Sequence, residues 1–215
     1  MHVLLLIASD TDADLLAYKK MQETLVNMLF DPYMQNALTE NHPDLHICEW
    51  REIKIEQAIM YAECTDGVLH LLMLSRFFGW GKHISMQYVP PTVEIFELSH
   101  CGIHEEFNPR TLPREAFIVS LAWNRLRGTP RLSELPGNIE DLNLSNNRLH
   151  GPIFLDRLPR RIRRIDLSKN TITGKYVLYD NLPASLEIAR IDGKAGALRP
   201  HRPKTGQADI DRICK

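Results

Sequence analysis

One dipeptide returns at a fixed interval through the second half of this chain. Leu112-Pro113, Leu135-Pro136, Leu158-Pro159 and Leu182-Pro183 place their prolines 23, 23 and 24 residues apart, and Val89-Pro90 lies 23 residues before Pro113. Each pair opens the same pattern. The clearest copies are Leu142-x-Leu144-Ser145-x-Asn147-x-Leu149-x-Gly151 and Ile165-x-Leu167-Ser168-x-Asn170-x-Ile172-x-Gly174. A third is Val119-x-Leu121-x-x-Asn124-x-Leu126-x-Gly128, and an earlier one reads Phe96-x-Leu98-Ser99-x-Cys101-x-Ile103. A period of about two dozen residues implies stacked units, because one such unit cannot bury its own apolar face. Leu142 and Leu144 sit two apart, so they share one side of a strand, the interior side. Asn147 follows where the chain turns away, and its carboxamide can bond backbone groups that the turn leaves unpaired. Asn124, Asn147 and Asn170 are therefore expected to stack as a buried ladder headed by Cys101. Leu126, Leu149 and Ile172 fill the next apolar column, and Gly128, Gly151 and Gly174 permit a sharp turn.

These copies resemble the leucine-rich-repeat family, whose unit reads Leu-x-x-Leu-x-Leu-x-x-Asn/Cys-x-Leu. The match covers roughly residues 89–192 and is closest to the short Leu-Pro-x-x-Leu units of many protist proteins; Cys101 is the substitution that the family's unit allows. The resemblance implies an α/β fold: a right-handed leucine-rich-repeat solenoid with a parallel β-sheet on its concave face. In that family the partner usually binds the concave sheet.

The organisation follows from where the pattern fails. Residues 67–198 read as the solenoid, about five repeats plus a degenerate first unit, Leu69-x-x-Leu72-x-Leu74-Ser75. The last copy opens at Leu182-Pro183-x-x-Leu186, but Lys194 and Leu198 occupy its Asn and Gly columns, so the array ends there. Residues 1–66 read as an α-containing N-terminal cap. Leu15, Tyr18, Leu25, Met28 and Leu29 suit one apolar helix face, which Asp31-Pro32 should end. A second helical stretch is expected around Glu52–Ala62. Residues 199–215 form a basic, Pro-containing tail.

Composition narrows the setting. Hydrophobic residues make up 44% of the 215, enough for a packed core. No run approaches the roughly 18 apolar residues of a membrane span, so no membrane partner is expected. Met1–Ala8 is apolar, but no Lys or Arg precedes it and Asp10, Asp12 and Asp14 follow, which favours a buried strand over a signal peptide. Cys48, Cys64, Cys101 and Cys214 contain no Cys-x-x-Cys pair, and we read them as reduced thiols of an intracellular, most simply cytoplasmic, protein. The net charge of −1 hides an asymmetry: residues 1–110 carry 7 basic and 16 acidic side chains, residues 111–215 carry 19 and 11.

Strand alternation assigns the outward residues. If Leu142 and Leu144 point in, Asp141, Asn143 and Ser145 point out. One outward column holds Ile95, Ile118, Asp141, Arg164 and Ile188, and the next holds Glu97, Ser120, Asn143, Asp166 and Arg190. His100, Trp123, Asn146 and Lys169 come at the strand ends. Ile95, Phe117, Ile118 and Trp123 gather apolar groups on a face that repeat logic exposes, which marks an interaction site or a surface covered by the cap. With Asn143, Asp141, Asp166, Arg164, Lys169 and Arg190 they make the candidate partner-binding face. A second candidate is basic: Arg157, Arg160, Arg161, Arg163 and Arg164 lie within eight residues, and Arg199, Arg202 and Lys204 extend them. This cluster suits an anion or RNA, or it is a solvated face.

The chain lacks a P-loop, a dinucleotide fingerprint, Gly-x-Ser-x-Gly and His-Glu-x-x-His. His42, His46 and Cys48 lack the second ligand pair of a structural zinc site. We therefore expect no catalysis, no cofactor, no metal and no small-molecule substrate. The expected function is a macromolecular-binding scaffold with a protein partner, or alternatively a component of a ribonucleoprotein docked by its basic end.

Overall fold

The computed structural model describes residues 12–41, 46–55, 57–77, 84–173, 177–191 and 198–200. It is a parallel-strand solenoid of about five turns with few helices. Its main sheet has eight strands in the order β1 (Ile53–Ile55), β2 (Ala58–Thr65), β3 (Val68–Ser75), β4 (Ile95–Ser99), β5 (Ile118–Ser120), β7 (Asp141–Asn143), β10 (Arg164–Asp166) and β12 (Ile188–Arg190). The first three are antiparallel to one another, and from β3 onward every neighbour is parallel.

The register is that of the repeat. Phe96, Val119, Leu142, Ile165 and Ala189 align across the sheet, and all are buried. Leu98 aligns with Leu74 of β3, so the degenerate unit is a true member of the stack. Leu98, Leu121, Leu144 and Leu167 form a second interior column, and Ile103, Leu126, Leu149 and Ile172 a third. The proline of each Leu-Pro pair begins a turn. The carbonyls of Pro90, Pro113, Pro136, Pro159 and Pro183 each accept from the N–H three residues on, that of Val93, Ala116, Ile139, Ile162 and Leu186. All five donors belong to buried residues, so the turn seats an apolar side chain in the core before each strand begins.

The back of the coils changes along the stack. Three-residue 3-10 turns at Met86–Tyr88, Pro109–Thr111 and Leu132–Glu134 recur at the repeat interval. The later coils use a parallel ladder instead, β9 (Ile153–Asp156), β11 (Val177–Asp180) and β13 (Leu198–Pro200). Between the two faces lies a short pair, β6 (Arg127–Gly128) and β8 (Arg148–Leu149).

The asparagines do what the repeat requires. Asn124 Oδ1 accepts from Cys101 N and Ile103 N, both at 3.1 Å, while its Nδ2 donates to Leu98 O at 2.6 Å and Leu121 O at 3.0 Å. Asn147 accepts from Leu126 N and donates to Leu121 O, Leu144 O and Ser145 O. Asn170 repeats this with Leu149 N, Leu144 O, Leu167 O and Ser168 O. Cys101 heads the row: its thiol donates towards Leu74 O and Ser99 O, each at 3.4 Å. Burial pushes that thiol up to about 12.

Helices α1 (Asp12–Leu29) and α2 (Pro32–Asn41) meet where Asp31-Pro32 predicts, with Asp31 Oδ1 accepting from Met34 N. The buried face of α1 differs from expectation. Gln22, Val26 and Leu29 are buried and Tyr18 half-buried, whereas Leu15 and Met28 are exposed. The reason is polar: Gln22 Oε1 accepts from Leu69 N at 2.7 Å and its Nε2 donates to Gly67 O, so an amide serves the contact face by matching the β2–β3 turn. Tyr18 likewise donates to Thr92 Oγ1 at 2.7 Å.

Two expectations need correction. The stretch Glu52–Ala62 is not helical: it holds β1 and most of β2, with Ala58, Met60 and Ala62 buried and Ile59 and Tyr61 half-buried. That period of two is a strand's. The cysteines are not all reduced, since Cys48 and Cys64 form a disulfide with Cα atoms 5.3 Å apart. It joins the 3-10 turn Ile47–Glu49 to β2, a proximity that only the fold creates. His46 instead accepts from Cys48 N through Nδ1, and His42 lies outside the described residues. So do residues 1–11, Gly174, Asp192, Lys194, Arg202 and Lys204.

Candidate interaction surface

The face of the main sheet directed away from the core carries two different chemistries. Towards β2 and β3 it is apolar. Leu71, Ile95 and Ile118 stand side by side on β3, β4 and β5, and Met73 pairs with Tyr61 in the next row. All are half-buried. Towards β12 the same rows turn charged. Arg164 donates twice to Asp141, at 2.6 and 3.0 Å, across the β7–β10 pair, and Arg190 approaches Asp166 at 3.6 Å across β10–β12. The hydrogen bond and charge of Asp141 raise the Arg164 guanidinium above its ordinary range. Asn143, in the row of Asp166, turns its Oδ1 to Ser145 N.

The expected apolar group is therefore not one patch. Ile95 and Ile118 are adjacent at the strand starts, whereas Trp123 lies beyond the end of β5. Phe117 stands in another column again: its carbonyl accepts from Glu140 N and Asp141 N, which places it with Glu94, Glu140, Arg163 and Glu187 at the strand entrances. Leu71, Met73 and Tyr61 extend the apolar half: Tyr61 lies in the stretch expected to be helical, and Leu71 and Met73 lie in the degenerate first unit, one coil before the outward columns begin at Ile95.

The strand ends share one backbone feature. Arg76, His100, Trp123, Asn146 and Lys169 all have φ between 54° and 60°, one such residue per coil. In this conformation each of the first four donates its N–H to the following coil, at Ser99, Ala122, Ser145 and Ser168. Asn tolerates the left-handed region, but bulky side chains rarely occupy it. Trp123 does so while 51% exposed. Its ring stacks on His100 with centroids 5.0 Å apart and planes 13° from parallel, and Lys169 Nζ lies 5.7 Å from its centroid.

The expected arginine cluster is largely neutralised. Arg157 pairs with Asp156, Arg163 with Glu187 at 2.7 Å, and Arg164 with Asp141. Arg160 and Arg161 are exposed and stand in no ion pair among the described residues. Arg199 lies in β13.

Among the described residues, no cluster of three or more His, Cys, Asp or Glu could hold a metal, and no helix is long and apolar enough to cross a membrane. Every buried side-chain nitrogen or oxygen among them has a hydrogen-bond partner. Comparison with protein-family models, curated proteins and solved structures found no match.

Proposed function

We propose that this chain is a leucine-rich-repeat scaffold that holds a protein partner on the open, concave face of its main sheet, with α1 and α2 capping the first coils. It performs no chemistry itself. One observation carries this reading: Trp123 is half-exposed on a backbone conformation that disfavours it, held between an imidazole and a lysine. The interior does not need this side chain, since Asn146 and Lys169 fill the same position one and two coils on. A rigid aromatic ring kept at such a cost suits a binding hot spot. The row Leu71, Ile95 and Ile118, a separate group on the same sheet, supplies further apolar area, and the Arg164–Asp141 and Arg190–Asp166 pairs supply a polar margin.

The test is purification of the tagged chain from its own cells, with co-eluting proteins quantified for the parent, Trp123→Ala and Ile118→Arg. Both positions are outside the core, so both variants should melt as the parent does. The reading expects one set of proteins to be lost from both. Retention of the full set by both variants would refute it. Association through the arginines at 157–164 is disfavoured by the ion pairs that three of them make.

A further inference from the structure

Three further arginines that stand in no ion pair among the described residues lie on the flank that follows the main sheet. There β6 and β8 pair in parallel, with Arg127 beside Arg148, while Gly128 and Leu149 turn inward. Bridges at Glu106–Arg127 and His150–Thr171 continue the same edge into the coils on either side. Arg125, two residues before Arg127, is also exposed and donates its backbone N–H to Ile103 O. None of Arg125, Arg127 and Arg148 stands in an ion pair among the described residues. Exposed His104 and His150 flank them. Glu106 is the one exposed acid in the row, set beside Arg127.

We propose that this flank binds single-stranded nucleic acid by its phosphates, without reading bases. Three arguments favour phosphate. The row presents donors (guanidinium and imidazole), which are groups that contact phosphate oxygens. Three of them are guanidiniums, whose fork matches phosphate bidentately. Their spacing is that of a ladder: neighbouring coils lie about 4.8 Å apart, and residues two apart along a coil about 7 Å. A flexible strand can follow such a row, bringing successive phosphates to fixed cations. An acidic protein would need an apolar anchor for stable docking, and the row itself offers none. This surface is independent of the open face of the main sheet, so either proposal can fail alone.

Fluorescence anisotropy with a labelled oligouridine of about twelve nucleotides tests it, titrating salt from about 50 to 200 mM. Parent binding should weaken with salt by about 0.7 log units per log unit for each phosphate contact. Replacing Arg125, Arg127 and Arg148 together by Gln removes three contacts. Affinity at about 0.1 M salt should fall roughly a hundredfold and the salt slope should flatten by about 2. Arg160→Gln with Arg161→Gln should bind as the parent does. The three arginines are exposed, so far-UV circular dichroism should be unchanged; replacing all three by Lys should keep the salt slope and lose affinity only a few-fold. The proposal is overturned if the parent does not bind at 50 mM salt, if the triple Gln variant binds normally, or if Arg160 and Arg161 prove to be the required pair. It is equally overturned if polyglutamate of matched charge competes as well as unlabelled oligouridine.

Discussion

Removing Asn147 isolates the contribution of one rung of the buried ladder. In Asn147→Ala the Leu126 N–H loses its acceptor, and no other backbone or side-chain group among the described residues bonds it. The three carbonyls that Asn147 serves fare better. Leu121 O keeps the Asn124 amide, Leu144 O keeps the Asn170 amide, and Ser145 O keeps the Trp123 N–H. The cost is thus one stranded buried donor, about 1–3 kcal/mol, plus about 1 kcal/mol for the space the carboxamide leaves. We expect a loss of about 2–4 kcal/mol, with an unchanged denaturant slope. Asn124→Ala should be worse, because Cys101 N and Ile103 N both depend on Asn124 Oδ1; one more stranded donor adds about 1–3 kcal/mol. Urea unfolding followed by tryptophan fluorescence and far-UV circular dichroism measures both. A loss below about 0.5 kcal/mol for Asn147→Ala, or a larger loss there than at Asn124, would show that the ladder is not held as argued.

Further outcomes follow from the cysteines and from one acid. The Cys48–Cys64 disulfide closes a separation of 16 residues, so reduction, or Cys48→Ser with Cys64→Ser, should cost about 3 kcal/mol in the same unfolding experiment. Cys101, buried and with its thiol pushed up to about 12, should resist alkylation at pH 8 in the native chain. Peptide mapping should find it modified only after urea is added. Glu105 is half-buried, and burial raises its carboxyl above the usual range. Ionisation therefore costs the folded state more than the unfolded, and stability from this group is present at low pH and lost as pH rises through the raised value. Glu105→Gln should be more stable than the parent at pH 7, and thermal melts should show that advantage vanishing by about pH 3.

The solenoid was legible because each coil repeats its interior residues: Leu142, Leu144, Asn147 and Leu149 have counterparts one period away on both sides. Phe117 was misplaced by one position in strand parity, which moves a side chain to another column. Glu52–Ala62 was read as helix because Ile59, Met60, Tyr61 and Ala62 are apolar at consecutive positions, where period 2 and period 3.6 fit equally well. The Cys48–Cys64 pairing depends on a 3-10 turn meeting a hairpin strand, and no local pattern encodes that. The Arg164–Asp141 pair lay within reach, since the two are 23 residues apart and so adjacent in the stack. What the period alone left hidden is which arginines remain without acids: that depends on side-chain reach, which brings Arg163 to Glu187 but, among the described residues, brings no carboxylate to Arg125 or Arg148.

The first three strands of the main sheet run alternately, and only the later ones run together. A further coil of the repeat would need a place beside a parallel strand of the array, and on the free side of β3 that place is already taken by the antiparallel β2. Lengthening by duplication must therefore happen within the array or beyond β12. Gain or loss of coils in descendants of this gene should leave residues 46–75 as a constant terminus while the number of Leu-Pro units behind them varies.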